Sequence, residues 1–217
     1  MHKFIKMFVV LLALMSTSLI ATSVKADESF VSAKDVVKLS SEEELKVFET
    51  NMNNMSVEEL QNIITYAKIM KEDKATNPIL ALKAAWLAAA QVAKVSGYPL
   101  AGTLVTNSVN GNNYDEYNGQ FAKAIKKTRW MNIMKQKKSG SGEFTRSDSS
   151  DLYFAIHLFS YSSFGSSQGT GYTIKDTFDF KLDDTYRNLF VSLVNNGAWL
   201  SQNVGVLTPI KVTINIV

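Results

Sequence analysis

The chain has 217 residues, of which 46% are hydrophobic and only three are proline, a composition that excludes a wholly disordered chain. It has no cysteine, so disulfides do not hold the fold together. Lysine and arginine (23) exceed aspartate and glutamate (20), but the three lysines of the first 26 residues account for that excess. The remainder is formally neutral, which excludes nucleic-acid binding driven by bulk positive charge.

Residues 1–26 have the three parts of a cleavable signal peptide. Lys3 and Lys6 form a positive segment, Met7 to Ile20 is apolar, and Val24-Lys25-Ala26 suits cleavage after the alanine. The apolar segment has 14 residues, fewer than the ~20 that a membrane-spanning helix needs, so an uncleaved anchor is the weaker alternative. We therefore predict a secreted, extracellular protein that begins after residue 26.

Residues 27–138 are predicted to form a flexible arm followed by helices. Ser41 and Ser56 each precede glutamates in the capping-box pattern, which predicts that a helix starts after each serine. Pro78 suits the first turn of a third helix, and Gly97 suits its end. Residues 27–40 show no helical period and are predicted to form the arm. The predicted helices span residues 41–54, 56–70, 79–96, 100–109 and 120–137.

A change of pattern after residue 138 predicts a second domain. The Ser-Gly-Ser-Gly segment has the composition of a flexible linker, which we place at residues 139–143, between a helical domain (41–138) and an α+β domain (144–217). Alternation with period two predicts strands at 152–159, 172–180 and 208–216, and helical spacing predicts a helix at 186–202. The predicted fold is α+β: an N-terminal helical bundle followed by a small antiparallel β-β-α-β sheet covered by a helix.

Few residues have the spacing of a catalytic or metal site. Residues 165–169 match the G-x-S-x-G motif of serine hydrolases, but they lie in a predicted hairpin turn, and His157 precedes Ser167. One mature histidine without cysteine does not make a zinc site. Four nearby acids suit turns and helix caps better than a calcium loop: Asp176, Asp179, Asp183 and Asp184. We predict no catalytic, metal or cofactor site and no enzymatic activity, with a hydrolase that uses Ser167 and His157 as an alternative.

Charge is unevenly distributed along the mature chain. Residues 27–75 have a net charge of −5, residues 76–150 of +6 and residues 151–217 of −1. The basic segment attracts an anionic partner, and tryptophan, tyrosine and lysine near helix ends suit a membrane interface. The alternative is that the alanine-rich helix is the core helix of a bundle. The residues predicted to contact a membrane or another target are Lys83, Trp86, Lys94, Tyr98, Lys123, Lys126, Lys127, Arg129 and Trp130.

Several short segments resemble one group of secreted proteins. They include Ala81-Leu82-Lys83-Ala84-Ala85-Trp86, Gly97-Tyr98-Pro99-Leu100, Asp151-Leu152-Tyr153-Phe154-Ala155-Ile156-His157, Asp176-Thr177-Phe178-Asp179-Phe180 and Gly205-Val206-Leu207. Together, over about residues 78–217, they resemble the large, unmodified, Sec-exported bacteriocins of Gram-positive bacteria, of the streptococcin and enterocin kind. The absence of cysteine departs from members of that group that hold their active segment with a disulfide.

The resemblance implies a secreted antibacterial protein that acts on the envelope of related bacteria through the basic helical middle, residues 77–138. The expected partner is the bacterial envelope or anionic lipid and not nucleic acid, and any immunity protein or receptor stays unidentified. The acidic segment, residues 27–75, would mask the basic one until a protease removes it. The alternative is a secreted cell-surface or wall-binding module without enzymatic activity, whose aromatic C-terminal sheet binds the ligand.

Overall fold

The computed structural model describes residues 38–69, 77–167, 169–179 and 205–217. Within these ranges the chain forms seven helices and one five-stranded mixed sheet, which confirms the predicted α+β class. The predicted signal peptide (1–26), most of the predicted arm (27–40) and the predicted helix 186–202 lie outside the described residues.

The first two helices start where the capping-box serines predict. Helix α1 spans Glu42–Asn51 and leads into a short 3₁₀ turn, and helix α2 spans Val57–Ile69. The Ser41 hydroxyl accepts a hydrogen bond from the Glu44 amide, and the Ser56 hydroxyl accepts one from the Glu59 amide, each at 3.2 Å. These bonds satisfy amides that a helix leaves without partners in its first turn.

Helix α3, Pro78–Val95, is the central helix of the bundle and packs against α1, α2 and helix α4, Pro99–Val109. The Asn77 side chain accepts from the second and third amides of α3, and Pro78 occupies its first turn. Gly97, at φ +95°, ends the helix as predicted, because the amide of the next residue can then turn back to the Ala93 carbonyl at 2.9 Å. The alanine-rich segment is therefore a buried core helix.

The segment predicted as one helix, residues 120–137, contains two shorter ones. Helix α5 spans Gln120–Ile125 and helix α6 spans Trp130–Gln136. Thr128 lies in the break: its hydroxyl donates to the Ile125 carbonyl at 2.8 Å and accepts from the Trp130 amide at 3.3 Å. A side chain that bonds the backbone in this way competes with continuous helix, which accounts for the break between α5 and α6.

The predicted strand 152–159 is wrong over its first half. Helix α7 spans Ser150–Ala155, and strand β3 begins at Leu158 and ends at Ser166. The Ser149 hydroxyl caps α7 by accepting from the amide three residues on. Asp151, in the first turn of α7, accepts from the amides of Leu100 and Ala101 at 3.0 Å and so caps α4 as well. The bonds from Asp151 to α4 stabilise this segment as a helix. The period-two alternation that predicts a strand here is too short to exclude a helix.

The sheet has five strands, whereas the sequence predicts three. In addition to β3 they are β1 (Tyr114–Tyr117), β2 (Ser139–Glu143), β4 (Gly169–Phe178) and β5 (Ile210–Ile216), in the order β1-β5-β4-β3-β2. Strand β1 is parallel to β5, and the other pairs are antiparallel, so the sheet is mixed. The predicted linker, residues 139–143, is therefore a strand, and the predicted domain boundary falls inside the sheet.

One face of the sheet contributes to a core that it shares with the helices. Tyr172, Ile174 and Phe178 of β4 point inward and are buried, as are alternate residues of β5. Strand β1, from the predicted helical domain, joins β5, from the predicted C-terminal domain, so both segments build one core. Helix α5 packs against β1 and β5, which places the basic residues that follow it beside the sheet.

Candidate functional site

Seven exposed basic residues form the part of the molecule that we call the basic surface. They fall between residues 123 and 138, and no acidic residue occurs from 118 to 142. Within the described residues, Arg129 pairs with the carboxylate of Asp148, and Lys126 donates to the backbone oxygen of Val217 at 2.6 Å. The basic surface consists of Lys123, Lys126, Lys127, Arg129, Lys135, Lys137 and Lys138.

Arg129 is held in place at the start of α6. Its Nε donates to Asp148 Oδ1 at 3.0 Å, and its guanidinium carbon lies 5.6 Å from the centroid of the Trp130 ring. Burial opposes ionisation of Asp148, but hydrogen bonds from Thr145 and the charge of Arg129 outweigh it and lower the pKa of Asp148. The carboxylate therefore stays charged, and it keeps the guanidinium beside the ring.

Trp130 anchors α6 to the edge of the sheet. Its Nε1 donates to the backbone oxygen of Glu143 in β2 at 3.0 Å. Its ring makes an edge contact with Phe159, with the centroids 5.1 Å apart, and lies near Phe144 and Tyr161. The ring also covers Gly142 so closely that a Cβ there would lie 2.7 Å from Trp130 Cζ2. The Trp130 ring can therefore pack on β2 in this way because Gly142 has no side chain.

Replacing Gly142 by alanine is expected to move Trp130. The added methyl would also lie 2.7 Å from Phe159 Cζ, so the rings must shift, and we expect a loss of about 1–3 kcal/mol of unfolding free energy. Urea unfolding and tryptophan emission would measure both effects. Gly165→Ala is the matched control, because apart from its two chain neighbours no atom of the described residues lies within 4 Å of the position that its new methyl group would occupy. Equal stability of the two variants would contradict the packing described.

An open groove with a volume of about 740 Å³ lies where α6 meets strands β2, β3 and β4. Its size is in the range of small-ligand sites. Leu158 is 61% exposed and lies on the side of β3 opposite the buried Phe159. The groove is lined by Arg129, Trp130, Ser141, Gly142, Glu143, Thr145, Leu158, Phe159, Ser160, Lys175 and Asp176.

Asp176 is the most unusual residue of the groove. It occupies an inward position of β4, opposite Val212 of β5 and between the buried Ile174 and Phe178. Burial raises its pKa to about 6, a shift that the Thr177 amide opposes and the charge of Asp179 increases. Its Oδ1 accepts from the Thr177 amide at 2.7 Å, and among the described residues Asp176 makes no ion pair.

The serine-hydrolase motif lies in the β3–β4 hairpin, as predicted. His157 precedes β3 and Ser167 follows it, so the nine residues of the strand separate them by roughly 30 Å. The His157 Nε2 instead lies 3.4 Å from Glu143 Oε1, and its ring packs edge-on against Tyr153. These positions do not bring the two residues together as nucleophile and base. Within the described residues, no group of three histidine, aspartate or glutamate side chains is placed to hold a metal ion.

The four predicted contact residues on or near α3 lie apart from the basic surface. Trp86 is only 2% exposed, so its prediction as a membrane or target contact is wrong for this fold. Lys83 binds Glu42 of α1 at 2.7 Å. Burial lowers the pKa of Lys94, whose Nζ donates to Thr106 at 3.2 Å, and Tyr98 packs edge-on against Phe154.

Helix α3 is the only helix in the described ranges that is long and apolar enough to cross a membrane. Its 18-residue window has a mean hydropathy of 1.3, but 56% of that window is buried inside the protein. A central core helix has the same length and composition, and the contacts of α3 with three other helices are those of a core helix.

The sequence pattern found most of the basic surface but missed most of the groove. Only Arg129 and Trp130 belong to both the predicted contact residues and the groove lining. One signal was available: Asp176 takes an inward position in the alternation of β4, where an apolar residue is expected. Comparisons with protein-family models, curated protein sequences and solved structures gave no significant match to this chain.

Proposed function

We propose that this protein is a secreted antibacterial protein that binds the envelope of related bacteria through the basic surface. The observation that carries the proposal is the run of seven exposed basic residues without an intervening acidic one. Each lysine that reaches an anionic membrane surface contributes about 1 kcal/mol of attraction, so several acting together bind strongly. The proposal needs no insertion of α3, which stays in the core.

The acidic helix does not compete for the basic surface in this fold. Glu42 binds Lys83 of α3, and Glu49 accepts from the Asn110 side chain at the end of α4. Glu42 therefore neutralises Lys83, in the part of the basic segment that lies on α3. The lysines of the basic surface are left exposed to solvent.

The test compares two double variants that remove the same charge. Lys123→Gln with Lys127→Gln should weaken binding to phosphatidylglycerol-containing vesicles about 30-fold, the equivalent of two lost lysine contacts. Lys46→Gln with Lys211→Gln removes two exposed lysines from α1 and β5 and should change binding less than about threefold. Co-sedimentation at two salt concentrations would measure both. Equal weakening by the two pairs would contradict a local basic surface.

Growth inhibition and dye release from the same vesicles separate the modes of action. Killing with leakage would support action on the lipid bilayer. Killing without leakage would keep the antibacterial proposal and direct it to a wall polymer or receptor. Absence of both effects would reject it in favour of the second candidate, a secreted wall-binding module without enzymatic activity. The groove at the edge of the sheet favours that candidate, because it offers a ligand site beside the basic surface.

A further inference from the structure

The groove differs in chemistry from the basic surface beside it. The register of the sheet places Asp176 on the same side as Phe159, Gly142 and the Trp130 ring, and Arg129 lies beside that ring. This side of the groove therefore has one cation and one anion, so its formal charge is zero, and Thr145 adds a hydroxyl that can both donate and accept. A ligand that matches this lining is uncharged and rich in groups that donate and accept hydrogen bonds.

We propose that the groove binds a saccharide, with Trp130 facing its C–H surface and Asp176 accepting a hydrogen bond from one of its hydroxyls. Each sugar hydroxyl is one donor and two acceptors, so it can bind a carboxylate and receive a bond from Arg129. Apolar walls with a few placed polar groups are typical of ligand sites, and here both kinds line one groove.

Asp176 supplies the strongest reason for a hydroxyl-bearing ligand. Of its two carboxylate oxygens, Oδ1 accepts from the adjacent Thr177 amide, and no described cation pairs with the side chain. A carboxylate held at an inward position is destabilising unless it receives hydrogen bonds. A saccharide hydroxyl would donate to the second oxygen and form a charge-assisted hydrogen bond, which is about twice as strong as a neutral one.

Trp130 supplies the apolar part of the site. Trp130 is fixed by its bond to Glu143 and its contact with Phe159, so the ring is positioned before any ligand binds. A rigid aromatic edge loses little conformational entropy on binding. The saccharide would belong to the bacterial envelope, an assignment that rests on the proposed function.

The test uses three neutral tetrasaccharides that differ in linkage or in sugar: maltotetraose, cellotetraose and fully N-acetylated chitotetraose. Titration into ¹⁵N-labelled protein should shift the indole N–H resonance of Trp130 in a saturable way for at least one of them. The resonance is assigned by its loss in Trp130→Phe. Asp176→Asn should weaken that binding about tenfold, because an amide forms a weaker bond to a hydroxyl than a carboxylate does. Asp115→Asn, an exposed carboxylate on β1 at the opposite edge of the sheet, should leave it unchanged.

Two outcomes would overturn the inference: no shift of Trp130 with any tetrasaccharide at millimolar concentration, or equal affinity of the Asp176 and Asp115 variants. The Lys123→Gln, Lys127→Gln protein should keep saccharide binding while it loses vesicle binding. Saccharide binding without growth inhibition would reject the antibacterial proposal and leave the groove assignment intact. Growth inhibition without saccharide binding would reject the groove assignment and leave the antibacterial proposal intact.

Discussion

Asp176→Asn is expected to raise the stability of the protein at neutral pH by up to about 3 kcal/mol. The pKa of Asp176 is raised from 3.8 to about 6, and each unit of difference between the folded and unfolded states is worth about 1.4 kcal/mol. The folded protein therefore holds this proton to higher pH than the unfolded chain. The stability that the protonated form of Asp176 contributes is present below about pH 4 and is lost as pH rises through about 6.

Urea unfolding at pH values from 4 to 8 would measure this effect. The unfolding free energy of the wild-type protein should contain a component that falls between about pH 4 and 6, and Asp176→Asn should lack that component. Asp115→Asn removes an exposed carboxylate, and the unfolding free energy of this variant should still contain the component that falls between about pH 4 and 6. A variant that is less stable than wild type at pH 7 would show that Asp176 is compensated in the folded state. Stabilisation together with lost saccharide binding would instead mean that the carboxylate is kept for function at a cost in stability.

Phe48→Ala is expected to destabilise the protein by about 3–5 kcal/mol. Phe48 is 1% exposed and lies in α1, the acidic helix that the sequence suggests as a removable mask. It belongs to the same buried core as Leu45 of α1 and Leu60 and Ile63 of α2. A protease that removed residues 27–75 would therefore remove part of the core and expose α3. Thermal unfolding followed by circular dichroism would show the loss.

Val47→Ala is the matched control for Phe48. Val47 precedes it in the same helix and is 59% exposed, so its truncation should change the unfolding free energy by less than about 0.5 kcal/mol. Similar small effects of the two substitutions would mean that α1 contributes little to the core. In that case the deletion of residues 27–75 could yield a folded and more active protein, as the masking hypothesis requires.

The helical half of the fold was predictable because its signals are local. Ser41, Ser56 and Asn77 each mark a helix start by accepting bonds from amides within three positions along the chain, and Gly97 marks a helix end because it lets the Tyr98 amide bond to a carbonyl five positions back. Strand β2 was not predictable, because serine and glycine have low strand propensity. Its strand conformation depends on pairing with β3 and on the Trp130 ring over Gly142, which are tertiary contacts.

The candidate site also has one part that local sequence signals predict and another that depends on tertiary contacts. The distribution of charge along the sequence locates the basic surface, because basic residues can be counted along the chain. Lysine side chains are expected to be exposed because they are charged. Trp86 was misassigned because tryptophan at helical spacing suits both a membrane interface and a core, and only packing distinguishes them. The groove depends on β2, β3 and β4 lying side by side with α6, an arrangement that no local pattern specifies.

The position of β5 restricts when the protein can acquire its fold. β5 lies between β1 and β4 in the sheet, although about 90 residues separate it from β1 along the chain. The polypeptide is synthesised from its N-terminus to its C-terminus. Strand β1 therefore has no strand to pair with until residues 210–216 have been made. The closure of so long a loop makes such pairing slow compared with helix formation. The sheet should therefore remain incomplete and protease-sensitive until residues 210–216 are available, and loss of β5 should leave β1 unpaired however well the helices form.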